Sequence, residues 1–465
     1  MPLPADLAFT PLATLGRGLR EKQFTSVALT EFFLDRLEKI GPRFNAVVTV
    51  TRERALAEAQ QADHDLANGK DRGPLHGIPY GAKDLLATRG IPTTWGAAPF
   101  RNRVIDEDAT VVRKLREAGA VLVAKLAMVE IAGGLGYKQA DASFTGPGLN
   151  PWNETSWSGG SSSGSGAAVA AGLVPFAIGS ETSGSITTPA GYCGLAGLRP
   201  TYGRVSRHGA MALSWTLDKL GPMCRTAEDC GLVLNAIAGP DSLDETAISR
   251  SYTYPDWEPP AEPFRLAVLR EPARKPQPAI QANFEASLKV LSEMGTIREI
   301  ELPDFPYGTV ISTIIACEMS AAFEGLVKSG QVWEMAAPED RVGAHAPQII
   351  PAKDYINAFR IRRLIQKSLD KLLTDIDAVV VPTLATVAPP IDRPFHEYQA
   401  GWRGSSIGVA GNAAGLPAIT IPNGAGERGL PTALEFVGRV LEENRLIAIA
   451  AAYQSVTNWH QRHPK

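Results

Sequence analysis

The strongest constraint on the fold of this chain is a stretch rich in glycine, serine and alanine and poor in charge, residues 150–202. Glycine/serine tracts usually behave as flexible coil, so residues 156–172 are a candidate linker. Two features argue against a linker. The tract continues without a break into the apolar sequence AAVAAGLVPFAIG, and a second Gly/Ser-rich segment, residues 179–194, follows it closely. We therefore predict that the stretch lies inside a folded unit.

Length and composition indicate a protein with a sizeable core, because 44% of the 465 residues are apolar and 20% are charged. The net charge is −3, with acidic and basic residues mixed along the chain, which argues against nucleic-acid binding. The sequence shows no secretory signal pattern, and no apolar run reaches the length of a membrane span. The four cysteines lack zinc-binding spacing. We expect a cytoplasmic protein with reduced thiols, no metal, and neither nucleic-acid nor membrane partners.

Short apolar strand patterns alternate with amphipathic helix patterns, which is typical of an α/β layer protein. The predicted elements include a helix at 26–40, a strand at 46–50, a helix at 109–117, a strand at 121–126, strands at 377–383 and 418–422, and a final helix at 443–456. The proline-rich residues 254–265 are predicted to cross the surface. Residues 241–360 are predicted to be a helix-rich insertion.

The common hydrolase motifs do not fit this sequence. Residues 160–164 match G-x-S-x-G, but that motif needs a preceding strand, and the residues before it, NPWNETSW, are polar and turn-like. An S-x-x-K motif at 368–371 lacks its companion S-D-N and K-T-G motifs, and no H-E-x-x-H occurs. What remains is a serine nucleophile with an unusual base. Lys83 is a candidate base if burial lowers its pKa, although a single lysine is far more often a solvated surface charge.

Taken together, several segments resemble the amidase signature family. They are GAKD at 81–84, GGSSSGS at 159–165, ETSGSI at 181–186, CGLAGLRPTYGRVS at 193–206 and NAAGLPAITIP at 412–422. The resemblance implies an α/β fold in which a large, twisted, mixed β-sheet core is covered by helices on both faces. It implies a single domain over 1–465, with a signature core at 71–240 and a divergent insertion at 241–360.

The resemblance also assigns roles to individual residues. It implies that Ser185 is the acylated nucleophile, that Ser161, following a cis peptide, relays its proton, and that Lys83 accepts it. The oxyanion hole would consist of the backbone N–H groups of the nucleophile and of the three residues before it, Thr182, Ser183 and Gly184. No metal or organic cofactor is expected.

The sequence departs from the family pattern beside the proposed nucleophile. Thr187 stands where many members have an arginine, and Ser163 and Ser183 stand where glycine is usual. In relatives that use glutamine, that arginine matters at the substrate carboxylate. Its absence favours a neutral amide, an anilide or a carbamate (urethane) as the small-molecule substrate. The alternatives are an A-type glutaminase subunit of a tRNA-dependent amidotransferase and a non-catalytic scaffold.

Substrate selection is predicted to involve loops outside the signature motifs. Gly133 and Gly134 are candidate substrate-binding residues, as is Trp402. The aromatic side chains of Phe395, Tyr398 and Trp402 are candidates to line a pocket, although surface or core packing is the more frequent role of such residues. We expect a monomer or a homodimer.

Overall fold

The computed structural model describes residues 3–254, 262–271 and 274–465. Within them the strands are β1 (Val47–Val50), β2 (Pro79–Lys83), β3 (Val121–Leu126), β4 (Leu149–Asn150), β5 (Asn153–Trp157), β6 (Ala177–Glu181), β7 (Ala196–Arg199), β8 (Lys219–Cys224), β9 (Phe264–Leu269), β10 (Gly295–Ile300), β11 (Ala378–Pro382), β12 (Ala418–Ala425) and β13 (Pro431–Val437).

The α-helices of the same residues alternate with these strands along most of the chain. They are α1 (Leu12–Arg20), α2 (Ser26–Lys39), α3 (Arg52–Ala67), α4 (Thr110–Glu117), α5 (Ser163–Ala170), α6 (Thr187–Cys193), α7 (Ala227–Ile237), α8 (Pro278–Ser292), α9 (Tyr307–Ala322), α10 (Glu324–Lys328), α11 (Pro338–Gly343), α12 (Ala352–Leu372), α13 (Phe395–Tyr398), α14 (Ile407–Ala414) and α15 (Glu443–Ser455).

Eleven of the described strands form one mixed sheet in the order β1-β3-β2-β6-β8-β7-β12-β13-β11-β9-β10. Strand β2 runs parallel to both of its neighbours, β3 and β6, while β8 pairs antiparallel with β6 and β7. Strands β4 and β5 form a separate two-stranded sheet. The predicted α/β fold with a large mixed sheet is confirmed.

Alternation of side chains along the strands divides the core between the two faces of the sheet. One face, with residues such as Ile178, Leu198 and Ile419, packs against α1, α4, α7, α8 and α15 in one continuous apolar cluster. The other face carries two apolar clusters. One packs against α3, α5 and α6 and the other against α9, α12 and α14. Helices therefore cover both faces.

Between the two apolar clusters of the second face, the central strands carry buried polar side chains. The alternation places five of them on this face, Glu181, Arg199, Lys219, Thr420 and Glu435, and each is at most 4% exposed. Polar groups so far from water need partners to offset the loss of hydration. The middle of the sheet is therefore where a site can be built.

Three details differ from the sequence prediction or extend beyond it. The segment NETSW, predicted to be turn-like, forms strand β5, because it pairs with β4 outside the main sheet. Residues 241–360 contribute β9 and β10 to the sheet as well as helices, and the division into core and insertion stays a prediction. Most of the proline-rich segment 254–265 (residues 255–261) lies outside the described residues.

The two ends of the described chain lie against each other. The rings of Phe9 and His463 are stacked with centroids 3.9 Å apart. Arg225, at the end of β8, donates hydrogen bonds to the carbonyl oxygens of His460 and Arg462. The chain thus closes on itself beside the sheet.

Candidate active site

Lys83 ends strand β2 and is fully buried. Its Nζ lies 2.7 Å from Ser161 Oγ and 2.8 Å from Ser180 Oγ, so both of its contacts are hydroxyl groups. Burial lowers the pKa of Lys83 to about 7, although the charges of Asp218 and Glu181 act in the opposite direction. A large fraction of Lys83 is therefore neutral near neutral pH, which is the form that can accept a proton.

The segment that carries Ser161 is packed so closely against its neighbours that it requires small residues. The Gly160–Ser161 peptide bond is cis. A Cβ on Gly160 would lie 2.7 Å from Trp157 and 2.8 Å from Val129, and a Cβ on Gly164 would lie 2.4 Å from backbone atoms of residues 46 and 127. Such distances leave no room for a side chain. The linker interpretation is excluded, because the segment is buried and leads directly into α5.

Ser162, the central serine of the G-x-S-x-G match, has a different environment. It is fully buried, and its Oγ lies 3.2 Å from both the carbonyl oxygen and the amide nitrogen of Ser180. A hydroxyl tied to a neighbouring strand in this way is not available to attack a substrate. The motif is therefore a packing feature of α5 and β6, even though a strand, β5, precedes it.

Ser185 lies in the loop of residues 182–185, which joins β6 to α6. Ser185 itself is half-buried, and its carbonyl oxygen accepts a hydrogen bond from Ser162 N at 3.3 Å, which brings the loop beside Ser161. Gly184 has a φ of 92°, a left-handed conformation that favours glycine. Among the described residues, none accepts a hydrogen bond from the backbone N–H groups of Ser183, Gly184 or Ser185.

Glu181 anchors the start of α6 behind this loop. Its Oε2 accepts hydrogen bonds from the N–H groups of Ile186 and Thr187 at 2.9 and 3.0 Å, and its Oε1 contacts Arg199 and Asn412. Burial would raise the pKa of Glu181, but the charges of Arg199 and Lys219 and several hydrogen bonds outweigh it and lower the pKa to about 2. The carboxylate is therefore ionised and fixes the helix end.

Thr187 is 4% exposed, and its Oγ1 lies 3.3 Å from Glu181 Oε2. The side chain therefore points to the buried carboxylate. It does not line the adjacent cavity.

A cavity of about 420 Å³ opens beside the site and reaches it at Ser180 and Thr182. Its walls are mixed. The apolar part includes Leu85, Ala132, Met211, Leu213 and Trp215, and the charged part includes Arg207, Asp218, Asp244 and Glu245. A volume of this size accommodates a small organic molecule.

The predicted substrate-binding residues are dispersed. Gly134 lies against the cavity wall, since a Cβ there would sit 2.2 Å from Leu213, whereas Gly133 faces Tyr137. Trp402 is half-buried, and its ring lies 6.0 Å from Lys275 Nζ. None of these three residues lines the cavity.

The aromatic residues near the C-terminal loops also have packing partners. Phe395 stacks on Trp157 with ring centroids 4.4 Å apart, and Trp157 lies against Gly160. Tyr398 contacts Gln277 and Arg428 through its hydroxyl group. Phe395 thus supports the Ser161 segment from behind, and neither residue lines the cavity.

Sequence reasoning missed three buried polar residues at the site. Ser180 Oγ accepts a hydrogen bond from Lys83 Nζ, as Ser161 Oγ does. Asp218 accepts a hydrogen bond from Thr182 Oγ1 at 2.6 Å. Lys219 Nζ donates to the carbonyl oxygen of Thr182. The available signal was the pair Asp218-Lys219 directly before the apolar run LGPMC, where a charged pair at the start of a buried strand needs a reason.

Two further properties of the described residues bear on function. No group of three or more His, Cys, Asp and Glu side chains in this part of the chain is arranged to hold a metal ion. No helix there combines the length and the apolar character needed to cross a membrane.

Comparison with known proteins adds a family and relatives. The family model described as Amidase matches residues 28–447. The chain is 37% identical to the A subunit of the glutamyl-tRNA(Gln) amidotransferase of Methylococcus capsulatus, over 97% of this chain and 98% of that protein. The peptide amidase from Stenotrophomonas maltophilia has a TM-score of 0.85 and 31% identity, with 99% of both chains covered. The corresponding A subunit from Thermotoga maritima has a TM-score of 0.80 and 27% identity, with 98% of this chain and 97% of that chain covered.

Proposed function

The chain belongs to the amidase signature family, and on that premise we propose that it hydrolyses a carbon–nitrogen bond of an amide through an acyl-enzyme on Ser185. The observation that carries the proposal is the 2.7 Å contact between buried Lys83 and Ser161, beside the loop that holds Ser185. A serine hydroxyl needs a base to become a good nucleophile, and a neutral, buried lysine can act through a second hydroxyl.

The acylation step follows from these positions. Ser185 Oγ bonds to the substrate carbonyl carbon while its proton passes to Ser161, whose own proton passes to neutral Lys83. The carbonyl electron pair moves to oxygen, and the oxyanion accepts hydrogen bonds from the backbone N–H groups of the 182–185 loop. The nitrogen then takes the proton back through the same relay. The C–N bond breaks, the amine leaves, and an ester on Ser185 remains.

Deacylation repeats the sequence with water in place of the serine. Water gives its proton to the Ser161–Lys83 relay and attacks the ester carbonyl, and the second tetrahedral intermediate collapses to a carboxylic acid. Ser185 recovers its proton as the C–O bond breaks. The net reaction consumes one amide and one water and yields one acid and one amine.

Two substrate classes are compatible with this chemistry. The sequence relatives favour glutamine, in a glutaminase subunit that works with a partner, because the A subunit of Methylococcus capsulatus aligns along nearly the whole chain. The peptide amidase of Stenotrophomonas maltophilia and the partly apolar cavity favour a neutral amide, anilide or carbamate. Because that similarity to the A subunit extends along nearly the whole chain, we give glutamine precedence, even though Thr187 stands where many family members have an arginine.

The acyl-enzyme is tested with a phosphonylating serine probe, followed by mass spectrometry of the labelled peptide. We expect the label on Ser185, and we expect Lys83→Met and Ser161→Ala to slow the labelling strongly. A matched control is Ser162→Ala, which removes a neighbouring hydroxyl that contacts only Ser180. Label on another residue, or wild-type labelling by Lys83→Met, would contradict the proposal.

The substrate class is tested by release of ammonia or amine from a panel. The panel contains glutamine, a C-terminal peptide amide, an anilide and a carbamate, each with the purified chain. Ammonia from glutamine alone supports the glutaminase subunit. Turnover of the neutral compounds without turnover of glutamine supports a free-standing amidase and contradicts the preference for glutamine.

A further inference from the structure

We propose that Lys219 is a positioning residue that holds and polarises the peptide bond between Thr182 and Ser183, so that the Ser183 N–H becomes a stronger donor to the oxyanion. The inference rests on the proposed function, because it assumes a tetrahedral intermediate on Ser185. It assigns a role to a charged group outside the Lys83–Ser161–Ser185 relay.

The geometry of the contact fixes the direction of the peptide. Lys219 begins β8 and pairs in the sheet with Glu181, the residue directly before Thr182. Its Nζ lies 3.2 Å from the Thr182 carbonyl oxygen, on the buried side of the loop. In a planar trans peptide the C=O and N–H groups point in opposite directions. A donor bound to the carbonyl oxygen from the interior therefore turns the Ser183 N–H outward.

A second contact from the same strand end holds the same residue. Thr182 Oγ1 donates to Asp218 Oδ1 at 2.6 Å, and Asp218 Oδ2 accepts hydrogen bonds from the N–H groups of Leu213, which lines the cavity, and of Ser214. Thr182 is thus held both by its side chain and by its carbonyl group. Rotation of the Thr182–Ser183 peptide would break the hydrogen bond that Lys219 donates to the Thr182 carbonyl oxygen. The hydrogen bond between the Thr182 side chain and Asp218 opposes this rotation.

The partners of Lys219 set it apart from an ordinary buried lysine. Lys125, also fully buried, forms an ion pair with Asp84 at 2.9 Å. Lys219 is 2% exposed and instead donates to two uncharged oxygens, those of Thr182 and of Asn412 Oδ1 at 2.7 Å. Burying an ammonium without a direct ion pair is costly. This cost is reduced in the tetrahedral intermediate, because negative charge then develops on the oxyanion, at the N–H side of the peptide that Lys219 polarises.

The charged groups that act on Lys219 come from several neighbouring elements. Burial lowers its pKa to about 7, helped by Arg199 on β7 and Arg362 on α12, while Glu181 on β6 and Asp218 oppose the shift. Lys219 is therefore cationic below about pH 7 and loses its charge above it. Lys83 must be neutral to accept a proton, so the two requirements give a bell-shaped pH profile.

The test measures the rate at which the phosphonylating probe labels Ser185, between pH 5 and 10. We expect Lys219→Met to lower the maximal rate by about 10- to 100-fold, somewhat less than loss of a direct oxyanion donor. In this variant we expect the fall of the labelling rate at alkaline pH (the alkaline limb) to disappear. The rise of the rate from acid pH (the acid limb), which depends on Lys83, stays. Lys219→Gln keeps an N–H donor without the charge, and we expect it to recover part of the rate but not the alkaline limb.

Glu435→Gln is the matched control, because Glu435 lies in the same buried polar network, 3.7 Å from Arg199, without contacting the 182–185 loop. We expect it to keep the labelling rate within about twofold and to keep both limbs. An equal loss in Glu435→Gln, or wild-type rate and pH profile in Lys219→Met, would overturn the inference.

The wild-type profile decides the matter if the Lys219 variants do not fold. A rate that stays constant above pH 8 contradicts a role for the Lys219 charge, and a falling rate supports it. The proposed function fails separately, since in that case the wild-type probe label lies on a residue other than Ser185. Labelled Ser185 without an alkaline limb leaves the proposed function standing and removes only the inference.

Discussion

At the scale of single residues, three buried lysines differ in what surrounds them. Lys125 has a carboxylate partner, Lys219 has a carbonyl and an amide oxygen, and Lys83 has two hydroxyl groups. A hydroxyl group both donates and accepts, and only Lys83 has hydroxyl groups as its sole partners, so it can receive a proton through them. The base is thus distinguished by its neighbours and not by burial alone.

The lowered pKa of Lys83 leads to a prediction about pH. The folded pKa of about 7 lies below the ordinary value of 10.5, so the neutral form grows as pH rises through 7. We expect the labelling rate of Ser185 to rise between pH 5 and about 7, and we expect Lys83→Met to reduce it by about 10²- to 10⁴-fold, the usual contribution of a general base. A rate that is highest at pH 5 would contradict this assignment.

The residues of the site were predictable only in part. The motif resemblance assigned roles to Lys83, Ser161 and Ser185 because they lie in distinctive small-residue segments, and the structure brings these segments together. Ser180 and Lys219 carry no such mark, since their importance comes from partners 97 and 37 positions away in the sequence. The direction of the Thr187 side chain depends on its contact with Glu181, six positions earlier, which no local pattern in the sequence indicates.

At the scale of elements, α5 approaches the residues that flank β1 and β3 closely enough to exclude a side chain at Gly164. A Cβ on Gly164 would meet Ala46 O and Ala127 N, both at 2.4 Å. Backbone atoms cannot move aside as a flexible side chain can. The position of Ser161, three residues earlier, depends on this approach.

We expect Gly164→Ala to destabilise the fold by more than about 3 kcal/mol, beyond the usual cost of overpacking, because backbone must shift on both sides. Gly325 is the matched control, since it lies in α10 and a Cβ added to it would have no neighbour within 4 Å. Gly325→Ala is expected to leave stability unchanged or to raise it by up to ~1 kcal/mol. Urea unfolding of both variants checks this, and equal midpoints would contradict the argument.

Elements with clear periodicity were predictable, and their arrangement was not. The strands at 121–126 and 418–422 and the final helix have apolar patterns that specify them locally. Strand β5 was not predictable from its polar sequence, because the strand forms by pairing with β4 and not through an apolar pattern. The order β7-β12-β13 joins residues more than 200 positions apart, and a local pattern carries no information about such pairing.

At the scale of the whole molecule, one buried carboxylate joins the N-terminal and later parts of the chain. Glu130, after β3, accepts hydrogen bonds from the N–H groups of Ala336 and Ala337, both at 2.8 Å. Asp340, on α11, is fully buried beside it. Burial and, next, the hydrogen bond and charge of Glu130 raise the pKa of Asp340 to about 8.

This pair predicts a pH dependence of stability. The folded pKa of Asp340 lies above its ordinary value of 3.8, so its contribution is fully present below about pH 4 and is lost as pH rises through 8. We expect Asp340→Asn to make the free energy of unfolding fall less steeply between pH 5 and 8, by up to about 1.4 kcal/mol per pH unit. Asp354→Asn, at an exposed position of α12, is the control. Identical slopes in urea titrations of the wild type and Asp340→Asn would contradict the prediction.

The stacking of Phe9 on His463 has a consequence for how the molecule opens. In most chains the two ends fray independently, each at its own small cost. Here the loss of residues 460–463 removes the ring that stacks on Phe9 and also both carbonyl groups that accept hydrogen bonds from Arg225, which directly follows β8. Opening of the segment around Phe9 and opening of the segment around His463 are therefore coupled, beside the strand whose opposite end carries Lys219.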